Sequence, residues 1–228
     1  MSAPTCFTTH VHEGDAVSRG PAAAAARHRT ASEQVGVALL DAAQTVLDRD
    51  GLSGVSVRAV ATEAGVAPMG VYNRFHNKDG LLIALAVRAF DALRDAVDVD
   101  DPGDPLERLR RCCRAYRTHA LEHPEQYRLM FSGVESVVAP SPAAQHGTAV
   151  LQVLVDILDS AARAGALHAA DPVQAAQMVW NAVHGAVTLE HANLNVTARR
   201  HGFDPADTFD RMLDVLVDGL RQAPRTTS

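Results

Sequence analysis

Between Val57 and Lys78 the chain gathers seven side chains of the kinds that grip a nucleic-acid duplex: Arg58, Met69, Tyr72, Asn73, Arg74, His76 and Lys78. Arg and Asn make paired hydrogen bonds to guanine and adenine edges, and an apolar tip can rest on a thymine methyl. Tyr and the cations suit phosphate oxygens. Arg58 and Asn73 are therefore expected at base edges, with Met69 apolar against a base. Tyr72, Arg74 and Lys78 are expected at phosphates, joined by His76. Lys78 is the only lysine in the chain, and a flexible ammonium at a helix N-terminus suits a phosphate oxygen. Taken singly, it reads as a solvated surface charge.

Two short helices have to position these groups. A small residue at Ala61 lets the first sit close under the second. Gly65 supplies the left-handed turn that ends the first helix, a conformation other residues adopt at a cost of about 1 kcal/mol or more. Pro68 suits a first helical position, because it has no N–H to leave unpaired. Val71 and Phe75, four apart, face inward and leave Met69, Tyr72, Asn73 and His76 outward. Asn77 caps the next helix, with Lys78 in its first turn. Two helices joined by a Gly-containing turn make a helix-turn-helix, whose second helix enters a DNA groove. Ala61, Gly65 and Val71 alone also fit an ordinary corner between two helices.

The segment from about Val35 to Leu82 resembles the N-terminal domain of the TetR family of transcriptional regulators. The likeness rests on LLDAAQTVLDRDG and SVRAVATEAGVAPMGVYNRFHNKDGLL, most specifically on Tyr72–Phe75, Asn77-Lys78 and Leu81-Leu82. Trp180, His184 and Gly185 in VWNAVHG resemble the Trp-His-Gly signature of one C-terminal subgroup. The resemblance implies a ligand-responsive regulator, usually a repressor, that binds a palindromic operator in double-stranded DNA as a homodimer. Ala67 departs from the family's usual Ser or Thr and loses a cap and a phosphate contact. Gly70 is a poor helix former, though it allows close backbone approach.

Charge is spread in keeping with binding through one end. Residues 1–78 carry seven Lys/Arg and seven Asp/Glu; residues 79–228 carry fourteen and twenty, which accounts for the net −6. The reading end is locally positive and the acidic body is repelled from a duplex. No run approaches the length of apolar residues that spans a membrane. The N-terminus lacks a basic start and apolar core, so no signal peptide is expected. Cys6, Cys112 and Cys113 make no disulfide framework, and a reducing cytoplasm is the simplest compartment. No cofactor is implied, and Cys6, His10 and His12 read as tail residues rather than a metal site.

The predicted organisation is all-α: a disordered tail over 1–29, a three-helix helix-turn-helix domain over 30–80, and a helical effector-binding and dimerisation domain over 81–223, joined rigidly by the fourth helix. Thr30 with Glu33 reads as a capping box that starts the first helix near Ala31, and Gly51 ends it. Arg27 and Arg29 are either a minor-groove arm or solvated charges. Further on, Asp104-Pro105, His123-Pro124, Ser141-Pro142, Asp171-Pro172 and Asp204-Pro205 each place a cap before a helix-starting proline. They mark helices near 105–121, 124–131, 142–164, 172–195 and 205–222. The connection Ser132–Ser141 is expected to be the most mobile.

For the body, candidate pocket residues are Tyr116, His119, Tyr127, Met130, Phe131, Trp180 and His184. Trp180 and His184 read either as ligand contacts or as core and interface residues. Arg108, Arg111, Arg114 and Arg117 form a strip that either attracts an anionic effector or is a solvated face. Candidate interface residues are Val183, Val187, Phe209, Met212, Leu213, Leu216, Val217 and Leu220; the family pairs the helices at 172–195 and 205–222 with their copies, and the alternative is that these stripes face their own core. A ligand in the body is expected to move the fourth helix and so the recognition helix. Rival readings are a redox sensor using Cys112 and Cys113, a scaffold dimer with a vestigial head, and an enzyme. The chain has no nucleophile elbow, HExxH or phosphate loop.

Overall fold

A computed structural model describes residues 21–100, 103–133, 141–168 and 171–222, with side chains from residue 33 onward. Every regular element among them is a helix: α1 (Pro21–Gly54), α2 (Val57–Glu63), α3 (Pro68–Phe75), α4 (Lys78–Val97), α5 (Pro105–Glu122), α6 (Pro124–Met130), α7 (Pro142–Arg163), α8 (Pro172–His191), α9 (Val196–Arg200) and α10 (Pro205–Arg221). Cys6, His10 and His12, the side chains of Arg27 and Arg29, and residues 134–140 of the expected mobile loop lie outside the described residues.

Residues 21–38 belong to a unit of their own, distinct from residues 39–222. They are helical, with Val35 and Val37 exposed. The helix starts at Pro21, ahead of the expected start near Ala31, and Thr30 lies within it rather than capping it. The reason is local. Pro21 suits a first turn, and the alanine run that follows has the highest helix propensity of any residue type. At Gly51 the backbone turns to φ 69°, so regular α-helix stops where the sequence places its end.

In residues 39–222 one apolar core runs from Leu39, Val46 and Leu47 of α1 through Val60, Val71 and Leu81 to Ile157, Val183 and Val217. α4 is buried along its whole length, from Leu81 through Leu85, Phe90 and Leu93 to Val97. It packs against α3 at one end and against α5, α6 and α7 beyond. Head and body are therefore joined by a packed helix. The Asp and Ser caps form as expected: Asp104, Ser141, Asp171 and Asp204 each accept from a backbone N–H of the first turn. His123 makes no such bond.

α8 stops at His191, short of the expected 195, and α9 is an additional turn. Asn193 takes φ 54°, with Leu194 N–H donating to Leu189 O (2.9 Å) and Asn193 N–H to Glu190 O (3.0 Å). That is a Schellman end built on Asn, one of the few L-residues that enters the left-handed region readily.

Candidate nucleic-acid interface

The turn between α2 and α3 is built by backbone chemistry. Ser56 Oγ accepts from Ala59 N–H and starts α2. Gly65, at φ 66°, ends it: Val66 N–H donates to Ala61 O (2.9 Å) and Gly65 N–H to Thr62 O (3.2 Å). Ala61 and Val71 are buried at the crossing, and Phe75 anchors the far end of α3. This leaves the other face of α3 free. Met69 is 65% exposed and Tyr72 46% exposed, and Asn73, Arg74, His76, Lys78 and Arg58 are exposed as well. Glu63 is taken up by Arg49 at 2.8 Å. Among the described residues no carboxylate pairs with Arg58, Arg74 or Lys78. The exposed face therefore offers positive charge and hydrogen-bond donors with little local competition. As expected, Ala67 precedes Pro68 without a side-chain cap.

α3 is tied to α4 through a tight junction. His76 takes φ 65°, uncommon for a side chain with a β-carbon. Asn77 Oδ1 then accepts from Gly80 N–H at 2.8 Å. A β-carbon at residue 80 would lie 2.1 Å from Phe75 O. Glycine is thus required where the first turn of α4 passes the end of α3.

Inside the body, Tyr116 of α5 and Tyr127 of α6 both point their hydroxyls at His184 Nδ1 on α8, at 3.0 and 2.9 Å. One ring nitrogen serves one partner at a time. Tyr127 has Thr188 Oγ1 at 2.9 Å as its other partner. Trp180 stacks on His184 (centroids 5.0 Å) and Phe131 meets it edge-on (4.4 Å). Burial holds the His184 imidazole below its ordinary range and pushes the Tyr116 phenol up. The cluster is thus neutral. Beside it, Tyr116, Phe131 and Trp180 line a cavity of about 270 Å³ whose far wall is Phe90 and Leu93 of α4.

Two family models match the chain: "Bacterial regulatory proteins, tetR family" over residues 39–85 and "Tetracyclin repressor-like, C-terminal domain" over residues 109–216. The chain belongs to the TetR family of transcriptional regulators. Members of this family are regulators, not enzymes. The transcriptional regulator YobS of Bacillus subtilis is 31% identical over 93 residues, covering 39% of this chain and 47% of its own length. The regulator Rv1816 of Mycobacterium tuberculosis is 27% identical over 156 residues, 64% of this chain and 65% of its own length. The chain therefore spans about half the length of the first relative and 65% of the second. A Rhodococcus sp. RHA1 protein of unknown function is 26% identical in a solved structure with TM-score 0.72, covering 82% of this chain and 96% of that one.

In this TetR-type framework the seven head residues fall on one exposed end, as their spacing predicts. Of the pocket candidates, Tyr116, Tyr127, Phe131, Trp180 and His184 come together. Met130 instead faces the core, and His119 lies tilted against His123 (centroids 4.6 Å), away from the lining of this cavity. The interface candidates divide by burial within the single chain. Val183, Val187, Leu213 and Val217 are buried in their own chain, and so is Phe209, although it forms part of the groove between α8 and α10. Met212, Leu216 and Leu220 remain half-buried. The free apolar side chains beside them are Met178 and Leu189 of α8 and Val215 of α10.

The Arg strip is also reassigned. Arg108 pairs with Asp98, Arg111 with Glu107, Arg114 with Asp210 and Arg117 with Glu190, so α5 carries no uncompensated anion-attracting face. Cys112 and Cys113 are buried, and burial pushes the Cys112 thiol up to about 12 and that of Cys113 well above its usual value. Neither is a thiolate at neutral pH, which leaves the redox reading without a reactive group.

Sequence reasoning missed the contribution of α7. Gly147, Thr148 and Leu151 form a chamber wall. At Gly147 a β-carbon would lie 3.3 Å from the Phe90 ring, so α7 packs close to α4 there.

Proposed function

We propose that the chain regulates transcription by binding duplex DNA through α3 as a symmetric homodimer, and that a small molecule in the body releases it from a palindromic operator. The head of residues 30–80 would read DNA and the body of 81–223 would hold effector and partner. The observation that carries this reading is the face of α3: Val71 and Phe75 are locked inside, while Tyr72, Asn73 and Arg74 stand free beside Lys78. A side chain held in place on one face and solvated on the other suits base and phosphate contact. Arg58 and Asn73 read bases, Met69 lies against a base, and Tyr72, Arg74, His76 and Lys78 hold phosphates. The place of action is the cytoplasm.

The partner surface is a strip beside the core-facing residues. On α8, Met178, Ala182, Gly185 and Leu189 recur at helical spacing. On α10, Met212, Val215 and Leu216 do the same. A shallow groove runs between them, lined by Ala182, Gly185, Leu189 and Met212, and space stands open beyond Gly185. A second copy laid on this strip makes a four-helix contact and presents two α3 helices. The Trp-His-Gly character of the body is supported by Trp180 stacked on His184 one turn away, with Gly185 on the partner-facing side.

Coupling follows from α4, whose Phe90 and Leu93 line the chamber and whose Lys78 end carries α3. A ligand that favours the DNA-incompetent arrangement by about 1–3 kcal/mol suffices for regulation. The test is selection of bound duplexes from a random pool, followed by gel shifts of the enriched sequence. A palindromic site whose binding is lost in Asn73→Ala supports the reading. Recovery of no preferred sequence overturns it.

A further inference from the structure

The interior between α4, α5, α7 and α8 has two lobes that share Tyr116, Val150, Leu151 and Trp180 as walls. The larger, about 270 Å³, reaches Phe90 and Leu93 of α4; the smaller, about 30 Å³, reaches Val97 and the two buried thiols. Among the described residues, no Lys, Arg, Asp, Glu or His lines either lobe. A charged group seated against these walls would shed part of its water without meeting a counter-charge, which is unfavourable. A neutral apolar molecule meets no such barrier.

Size and polar content narrow the class further. An apolar cavity of roughly 150 Å³ holds one benzene ring, so about 270 Å³ accommodates two fused rings and little more. Among the wall hydroxyls, Thr148 donates to Ala144 O at 3.0 Å and Tyr116 is engaged with His184 Nδ1. The Tyr116 oxygen is also met by Trp180 and Tyr127, but Thr148 Oγ1 keeps a lone pair free, so this wall favours a ligand that donates a hydrogen bond. The rings of Phe90 and Phe131 meet edge-to-face at 6.0 Å, and Phe131 lies 6.4 Å from Trp180, a setting suited to a flat guest.

We infer that the chamber takes an uncharged, planar molecule of about two fused rings bearing one hydrogen-bond donor, sensed by α4 through Phe90 and Leu93. This rests on the effector-responsive reading of the body and gives that effector its chemical class. On this wall α7 packs against α4, with Gly147 facing the Phe90 ring, so a guest there acts on the helix that carries the head.

Calorimetric titration of the full-length chain with 2-naphthol, and with 2-naphthoate as the same ring system carrying a charge, tests this. 2-Naphthol is expected to bind at least about tenfold more tightly than 2-naphthoate. Thr148→Phe, which fills the chamber from an exposed position, is expected to weaken binding at least about tenfold with an unchanged helical circular dichroism spectrum. Ala144→Phe, also exposed and on the same wall, serves if Thr148→Phe does not fold. Equal affinity for the charged ring, binding of neither ring, or undiminished affinity in the folded variant overturns the inference. Sequence-selective DNA binding of the unliganded chain is read in parallel. If it persists while 2-naphthol fails to bind, the ligand class falls and the DNA reading stands; if it is absent, the DNA reading falls on its own account.

Discussion

Gly80 passes so close to Phe75 that a β-carbon on residue 80 would sit 2.1 Å from the Phe75 carbonyl oxygen. This is where α3 hands over to α4, and the obstacle is backbone, which cannot rotate aside. Gly80→Ala should therefore force α3 and α4 apart. Overpacking of this kind costs about 1–3 kcal/mol. The expected result is a lower melting temperature together with weaker operator binding. A variant that keeps both would show that the junction is free to adjust.

If the head binds DNA as proposed, its residues should separate by role. Arg58→Ala and Asn73→Ala should each cost about 1–3 kcal/mol on the preferred duplex and relax preference at one base pair. Lys78→Ala should weaken all sequences alike and reduce the slope of log affinity against log salt by about 1. Affinity measured over a salt series on matched and mismatched duplexes distinguishes the two behaviours, and an exchange of patterns would reassign the residues.

Arg117 and Glu190 form a two-pronged pair at 2.8 and 2.8 Å, with Glu190 only 8% exposed and the Arg117 guanidinium over Phe209. Removing one partner strands a poorly hydrated charge. Arg117→Met should cost on the order of 2–3 kcal/mol in urea unfolding. Arg111→Met, whose exposed partner Glu107 lies on the same helix, should cost about 0.5 kcal/mol or less. Similar losses in both would mean the α5–α8 pair has no special weight.

Burial holds the imidazoles of His119, His184 and His191 below the ordinary 6.5. Near that pH the unfolded chain thus binds more protons than the folded one. The stability these rings confer is complete above 6.5 and is lost as pH falls through their folded values. The melting temperature should drop between about pH 7.5 and about pH 5.5, and His184→Gln should make that drop shallower. A melting temperature that rises on acidification would contradict the sign.

Local chemistry made the head legible from sequence. Gly65, Pro68 and Asn77 fix turn, start and cap through backbone geometry that needs no distant partner, and α2, α3 and α4 lie where those residues place them. The capped prolines placed the later helices for the same reason. The chamber was only half legible. Tyr116, Trp180 and His184 stand out by type, but Gly147 and Leu151 join them through the packing of α7 on α4, which no local signal encodes. Val217 and Val215 show the limit on the partner face. They lie two residues apart on one apolar helix, yet one is buried and the other 72% exposed, because a stripe tells that a helix packs and not which edge its own core takes.

That edge can be tested. On α10, Phe209, Leu213 and Val217 point into the chain, and Asp210 and Asp214 flank them on the side of α5, paired with Arg114 and Arg110. Met212 lines the groove, and Val215 stands exposed away from the core stripe. A carboxylate at Val215 costs the isolated chain little, since the position is solvated, but buries an unpaired charge if a second copy covers it. Val215→Glu should therefore give a folded monomer by light scattering, with a helical spectrum unchanged from the parent and operator affinity reduced because the two half-sites are no longer bound together. Val217→Glu should unfold the chain outright. A Val215→Glu protein that stays dimeric would move the interface to another face of the body.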